Sequence, residues 1–275
     1  MNLAPSTFPC SVILAAHGSI ATAEANSSLF RLAEQVAQAG IFSVVTPAFL
    51  NGHPDLSSVF ADLPPGDVII VPVMTSAGYY LQNVIPQRLA QNPQLDRYRV
   101  FMADPVGLHP ELPQVVAERI TDMLQLLSLE PSETTFLVMG HGSRKNADSR
   151  NSTDQLAAGL QTYFMEQKVI VGFIDQDPTI EHSLAQITTR NIYAIPFLIA
   201  LGPHTTEDVP RALGLDTQGD IEFPCVDVTS QRCLVCDLPI GLYPEMAMAC
   251  IDLAASQLLE GKPVSIAEWE KRKPA

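Results

Sequence analysis

Apolar residues follow two rhythms along this chain. Some come in short unbroken runs: residues 11–16, 41–46, "DVIIVPV" at 67–73, "RYRVFMA" at 97–103 and "FLVMG" at 136–140. Such runs, rich in Val and Ile, read as strands buried on both faces. Between them the apolar positions recur every three or four residues. In 23–39, for example, Leu29, Leu32, Ala33 and Val36 share one face, which predicts a helix. Further helices are expected after Pro54 and over 80–91 and 110–127. Strand alternating with helix predicts a parallel sheet covered on both sides.

The pattern then repeats. A shift of 124 residues lays His17 on His141, inside "HGS" both times. The same shift lays Phe49 on Phe173, Pro54 on Pro178, Pro72 on Pro196, Gly78 on Gly202 and Pro86 on Pro210. Further on, "DPVGLHPEL" matches "LPIGLYPEM" at a shift of 134, so the second copy carries about ten extra residues between Pro210 and Pro239. The expected fold is α/β: two similar lobes related by duplication, each a four-stranded parallel sheet with helices on both faces. The boundary falls in "SLEPSETT", giving lobes 1–130 and 131–275.

In parallel sheets, sites form beyond the carboxyl ends of the strands. Past the first three strands, copy one offers His17, Asn51 and Tyr80, and copy two offers His141, Asp175 and His204. Two imidazoles and a carboxylate can bind a divalent metal or move protons. Each histidine alone would read as a strand cap; the three groups at equivalent strand ends favour a site. Ser143, Arg144, Lys145 and Arg150 follow His141, in a chain with only 16 Lys plus Arg. That clustering suggests an anionic substrate. Glu207 and Asp208 open a helix, where acids suit the helix dipole, and Glu207 is also a candidate for metal delivery.

Composition narrows the classes. The 275 residues are 47% hydrophobic, with a formal net charge of −14. A packed protein is expected, with no affinity for nucleic acid or anionic membranes. No apolar run reaches the ~20 residues of a membrane span, no secretory signal is apparent, and the cytoplasm is the expected compartment. A monomer or small homo-oligomer is expected. Cys225, Cys233, Cys236 and Cys250 lie in or after the extra residues of copy two, without counterparts in copy one. Four thiolates could hold a 4Fe–4S cluster or a zinc ion, or the four could be buried thiols. No G-x-G-x-x-G loop supports a nucleotide-binding domain.

"HGS" after the first strand, "GF-acid…P" after the second and "PFLxxGxHxxxDVP" after the third resemble the CbiX-type sirohydrochlorin chelatases, class II chelatases related in fold to protoporphyrin ferrochelatase. The resemblance runs over nearly the whole chain as two fused copies and is strongest in 136–210. It implies insertion of Co2+ or Fe2+ into sirohydrochlorin, a tetrapyrrole rich in carboxylates. Co2+, for cobalamin synthesis, is favoured and Fe2+, for sirohaem, is the alternative; a non-catalytic carrier of tetrapyrrole or metal is the second class. It assigns catalysis to His141, His204 and Asp175, metal contact to His141, His204 and Glu207, and substrate contact to Ser143, Arg144, Lys145, Arg150, His17 and Tyr80. Tyr80 and Asn51 depart from the pattern, so copy one has lost the metal chemistry on this reading. Some long members carry an iron–sulfur cluster near a C-x-x-C motif, which bears on Cys233 and Cys236.

Overall fold

The structure is a computed structural model, and it describes residues 8–19, 23–143, 147–215, 222–229 and 232–264. The chain forms two compact units: Met1–His109 with Pro244–Ala275, and Pro110–Tyr243.

The first unit holds a four-stranded sheet. Its strands are β1 (Phe8–Ala16), β2 (Phe42–Phe49), β3 (Gly66–Pro72) and β4 (Tyr98–Met102), in the order β2-β1-β3-β4. All pairs are parallel, which requires crossovers between them. α1 (Ala23–Gln38) and α2 (Ile85–Ala90) supply two of these. The helix expected after Pro54 is only a 3-10 turn, Val59–Asp62. Ile13, Ala15, Phe60, Val68, Ile70 and Ile85 are wholly or almost wholly buried in one core, as the unbroken apolar runs require.

The second unit contains α3 (Leu112–Leu126), β5 (Thr134–Gly140), α4 (Asp148–Tyr163), β6 (Val169–Phe173), α5 (Ile180–Ala185), β7 (Asn191–Pro196) and α6 (Val209–Leu213). The extra residues of copy two build β8 (Cys225–Val228), which turns back onto β9 (Cys233–Cys236). The sheet order is β6-β5-β7-β9-β8, and β8 is antiparallel to β9. This corrects the expectation of four strands: the insertion adds a fifth by hairpin, the cheapest way to extend a sheet edge.

The compact units also cut the chain differently from the lobes 1–130 and 131–275. The last helix of copy one, α3, packs on α4 in the second unit. The last helix of copy two, α7 (Met246–Glu260), packs on α1 and β3 in the first. In the second unit the cause is visible. Asp237, fully buried, accepts hydrogen bonds from Arg119 of α3 (2.7 Å at the closest), Tyr193 (2.7 Å), Tyr243 (2.8 Å) and the Leu238 N–H (2.7 Å). A buried carboxylate needs such a shell, and α3 supplies its cation. Burial first, then this carboxylate, raise both tyrosine pKa values far above the ordinary range.

Candidate functional site

β5 ends at Gly140 and His141 follows. The turn continues through Gly142, whose φ is +77, and a Cβ there would lie 2.6 Å from Gln176 Cγ. Gly18, its counterpart, has φ +74, and a Cβ would come 2.7 Å from the Asn51 carbonyl. Only glycine suits a left-handed position this crowded. The Asp175 N–H then donates to the His141 carbonyl (2.9 Å), tying the exit of β6 to that of β5. Asp175 Oδ2 lies 3.5 Å from His141 Nδ1.

His204 opens a π turn, His204–Asp208, that runs into α6. Pro210, at the start of α6, has no N–H to continue an ordinary ladder. The turn before it is closed instead by Val209 N–H donating to His204 O, five residues back. The first unit repeats this at Tyr80–Val84, with Pro86 in the same place.

The two imidazoles meet. His141 Nε2 and His204 Nε2 are 3.1 Å apart, with the rings edge to face and their centroids 4.5 Å apart. Their other nitrogens decide the tautomers. His141 Nδ1 is 2.8 Å from the Gly142 carbonyl oxygen and His204 Nδ1 is 2.8 Å from Asp208 Oδ2. Both partners only accept, so both Nδ1 atoms carry the proton and both Nε2 atoms keep a lone pair. A positive centre between the two Nε2 atoms would offset the repulsion of facing lone pairs. It can be a proton or a divalent ion. The imidazole side chains are 40% and 49% exposed, so the pair is open to a large partner.

The first unit shows the same frame without this chemistry. His17 Nδ1 bonds to the Gly18 carbonyl (2.9 Å), and its ring meets Tyr80 edge to face at 4.4 Å. Its Nε2 lies 3.3 Å from Asn51 Nδ2, an amide that can only donate. The lone pair is thus satisfied, and a phenol stands where His204 would.

Other expected site residues are distributed as follows. Ser143 N–H donates to Gln176 Oε1 (2.8 Å). Arg144 and Lys145 lie outside the described residues. Arg150 reaches Asp154 (3.3 Å) and the Asp177 carbonyl (2.9 Å) and stacks on Phe173, while its side chain stays 42% exposed. Glu207 is near Arg211 (3.9 Å), and it is Asp208 that touches His204. Among the described residues, no three His, Cys, Asp or Glu side chains are grouped to hold a metal ion. The imidazole pair therefore offers two protein ligands, a seat that an ion can leave.

Among the described residues, the cysteines do not group as ligands for a cluster or a zinc ion. Cys233 and Cys236 are three residues apart on β9, so their side chains leave opposite faces of the sheet. Cys225 is directly opposite Cys236 in the hairpin. Cys250 is on α7. Burial pushes the Cys250 thiol up to about 12 and also raises Cys233. Donation to Cys225, then burial, raises Cys236, and that hydrogen bond lowers Cys225.

Sequence reasoning missed Gln176, which accepts from the Ser143 N–H in the loop after His141, and read Asp208 only as an acid suited to a helix start. The i, i+4 spacing of His204 and Asp208 was the available signal for their 2.8 Å contact.

Fold and site together define a class: a duplicated α/β protein with two imidazoles facing each other at its strand ends. The chain belongs to the CbiX family, whose model, described as CbiX, matches residues 11–123 and again 135–257. It is 24% identical over 220 residues to the probable sirohydrochlorin cobaltochelatase of Halobacterium salinarum, covering 73% of this chain and 75% of that one. Among the solved structures that share the fold are two with TM-scores above 0.7. One is a multi-domain protein of Deinococcus radiodurans described as structurally similar to chelatases (TM-score 0.72, 22% identity, 93% of this chain). This chain spans 56% of its length. The other is SirB from Bacillus subtilis with Fe3+ (TM-score 0.71, 17% identity, 94% of this chain and 100% of that one).

Proposed function

We propose that this protein is a sirohydrochlorin chelatase that inserts a divalent metal ion, Co2+ by preference, into the macrocycle and removes two pyrrole protons. The observation that carries the reading is the pair of Nε2 atoms facing each other at 3.1 Å. These atoms suit both halves of the reaction. While the ion is held they are its ligands. As it moves to the pyrrole nitrogens, they become bases that take up the departing protons. Nitrogen and carboxylate donors without thiolate hold Co2+ or Fe2+ weakly enough for transfer. Asp175, beside His141 Nδ1, supplies negative charge that attracts the ion. Ser143, Arg144, Lys145 and Arg150 are the groups we assign to the substrate's carboxylates.

The name of the Halobacterium relative favours Co2+. The Fe3+ in the SirB structure supports Fe2+ as the second reading. The test is the absorbance change when purified protein meets sirohydrochlorin and Co2+, with Fe2+ and Ni2+ in competition. His141→Ala and His204→Ala should each slow metallation by about 10²–10⁴-fold. Unchanged rates in both would overturn the assignment, and binding without metallation would point to a carrier.

A further inference from the structure

The metal chemistry described above leaves one close carboxylate unused. Asp208 Oδ2 lies 2.8 Å from His204 Nδ1, and its other oxygen lies 3.2 Å from Arg211 Nη1. We propose that Asp208 is the positioning residue of this site: it holds His204 in the Nδ1–H tautomer, so that Nε2 keeps its lone pair toward His141. The proposal rests on the reading of the two imidazoles as the metal seat.

A carboxylate is a pure acceptor, so a 2.8 Å contact to Nδ1 puts the proton there. Arg211 fixes which oxygen faces which partner, so the carboxylate has one working orientation. A carboxylate behind a ligand imidazole also makes its far nitrogen a better donor. His141 needs no such residue, because the Gly142 carbonyl does the same for it.

The duplication provides an internal control. At the same 124-residue shift, Tyr80 replaces His204, Val84 replaces Asp208 and Gln87 replaces Arg211. The backbone is nonetheless alike. Tyr80–Val84 is also a π turn, closed by Ile85 N–H donating to Tyr80 O. The turn therefore does not need the acid. The acid is present in the copy that has the imidazole and absent from the copy that lacks it. A purely structural role at the start of α6 would have served both copies.

The experiment uses the full chain. Asp208→Asn is close to isosteric, but Arg211 keeps the amide oxygen on its own side. The NH2 group then faces His204 Nδ1 and donates to it, moving the ring proton to Nε2. Nitrogen-15 NMR of the imidazoles should report His204 as Nε2–H in D208N, with His141 unchanged. The kcat/KM for Co2+ in sirohydrochlorin metallation should fall about 10–100-fold, the usual effect of losing an outer partner of a metal ligand. Asp208→Glu keeps an ionised acceptor and should retain Nδ1–H and recover most of the rate. If D208N kept His204 as Nδ1–H, or kept kcat/KM within about twofold of the parent, the proposal would be overturned. If the parent protein does not metallate sirohydrochlorin, the functional reading fails instead, and the tautomer still judges Asp208.

Discussion

His17 and His141 are the same residue on the same turn, each with Nδ1 bonded to the next carbonyl. What separates them is the atom facing Nε2: an amide donor in one unit, a second imidazole in the other. A histidine's chemistry is thus decided by its neighbours' donor or acceptor character rather than by its own position. The cysteines show the same dependence. Cys225 is half-buried with its pKa lowered by the Cys236 thiol, whereas Cys250 is fully buried with its pKa near 12. An aromatic disulfide reagent at neutral pH should label Cys225 first and Cys250 only on unfolding, because the thiolate is the nucleophile. Rapid labelling of Cys250 in the folded protein would contradict this burial. The same arrangement predicts that protein purified without oxygen binds no stoichiometric iron at these cysteines, which metal analysis can check.

Elements, rather than single residues, explain how α3 joins the second unit. Asp237 has Ala103 as its counterpart in copy one, and Arg119 has Leu253 as its counterpart on α7. The ion pair therefore exists only where α3 meets the sheet of copy two, and it selects that docking over its alternative. Arg119 also stacks on Tyr243, with the guanidinium carbon 4.6 Å from the ring centroid. Arg119→Ala should cost about 3–5 kcal/mol, since it strands a buried charge. Arg119→Leu with Asp237→Ala should recover part of that, because no charge remains to be satisfied. Urea midpoints of the three proteins decide the matter. A single variant as stable as the parent would mean that the pair selects nothing.

For the whole molecule, the repeat in sequence and the compact units in space make different predictions. A fragment spanning 110–243 contains α3 and the complete Asp237 shell, and should unfold cooperatively on its own. A fragment spanning 131–275 follows the sequence copy, but it lacks Arg119 and carries α7 without the sheet that α7 covers. It should aggregate or show no cooperative transition. Circular dichroism against urea distinguishes them, and equal stability would favour the lobes of the sequence repeat.

The order of strands and helices, the duplication and the three strand-end residues of copy two were legible in the chain itself. They arise from local periodicity, from turn residues and from a repeat that keeps register, all of which are one-dimensional signals. The pairing of the two Nε2 atoms, the contact of His204 with Asp208 rather than Glu207, the opposite faces of Cys233 and Cys236 beside the added β8, and the docking of α3 away from its own copy were decided only by the tertiary structure. Each depends on which side chains far apart in sequence meet, and on which atom of each points at the other. Spacing along a chain carries neither.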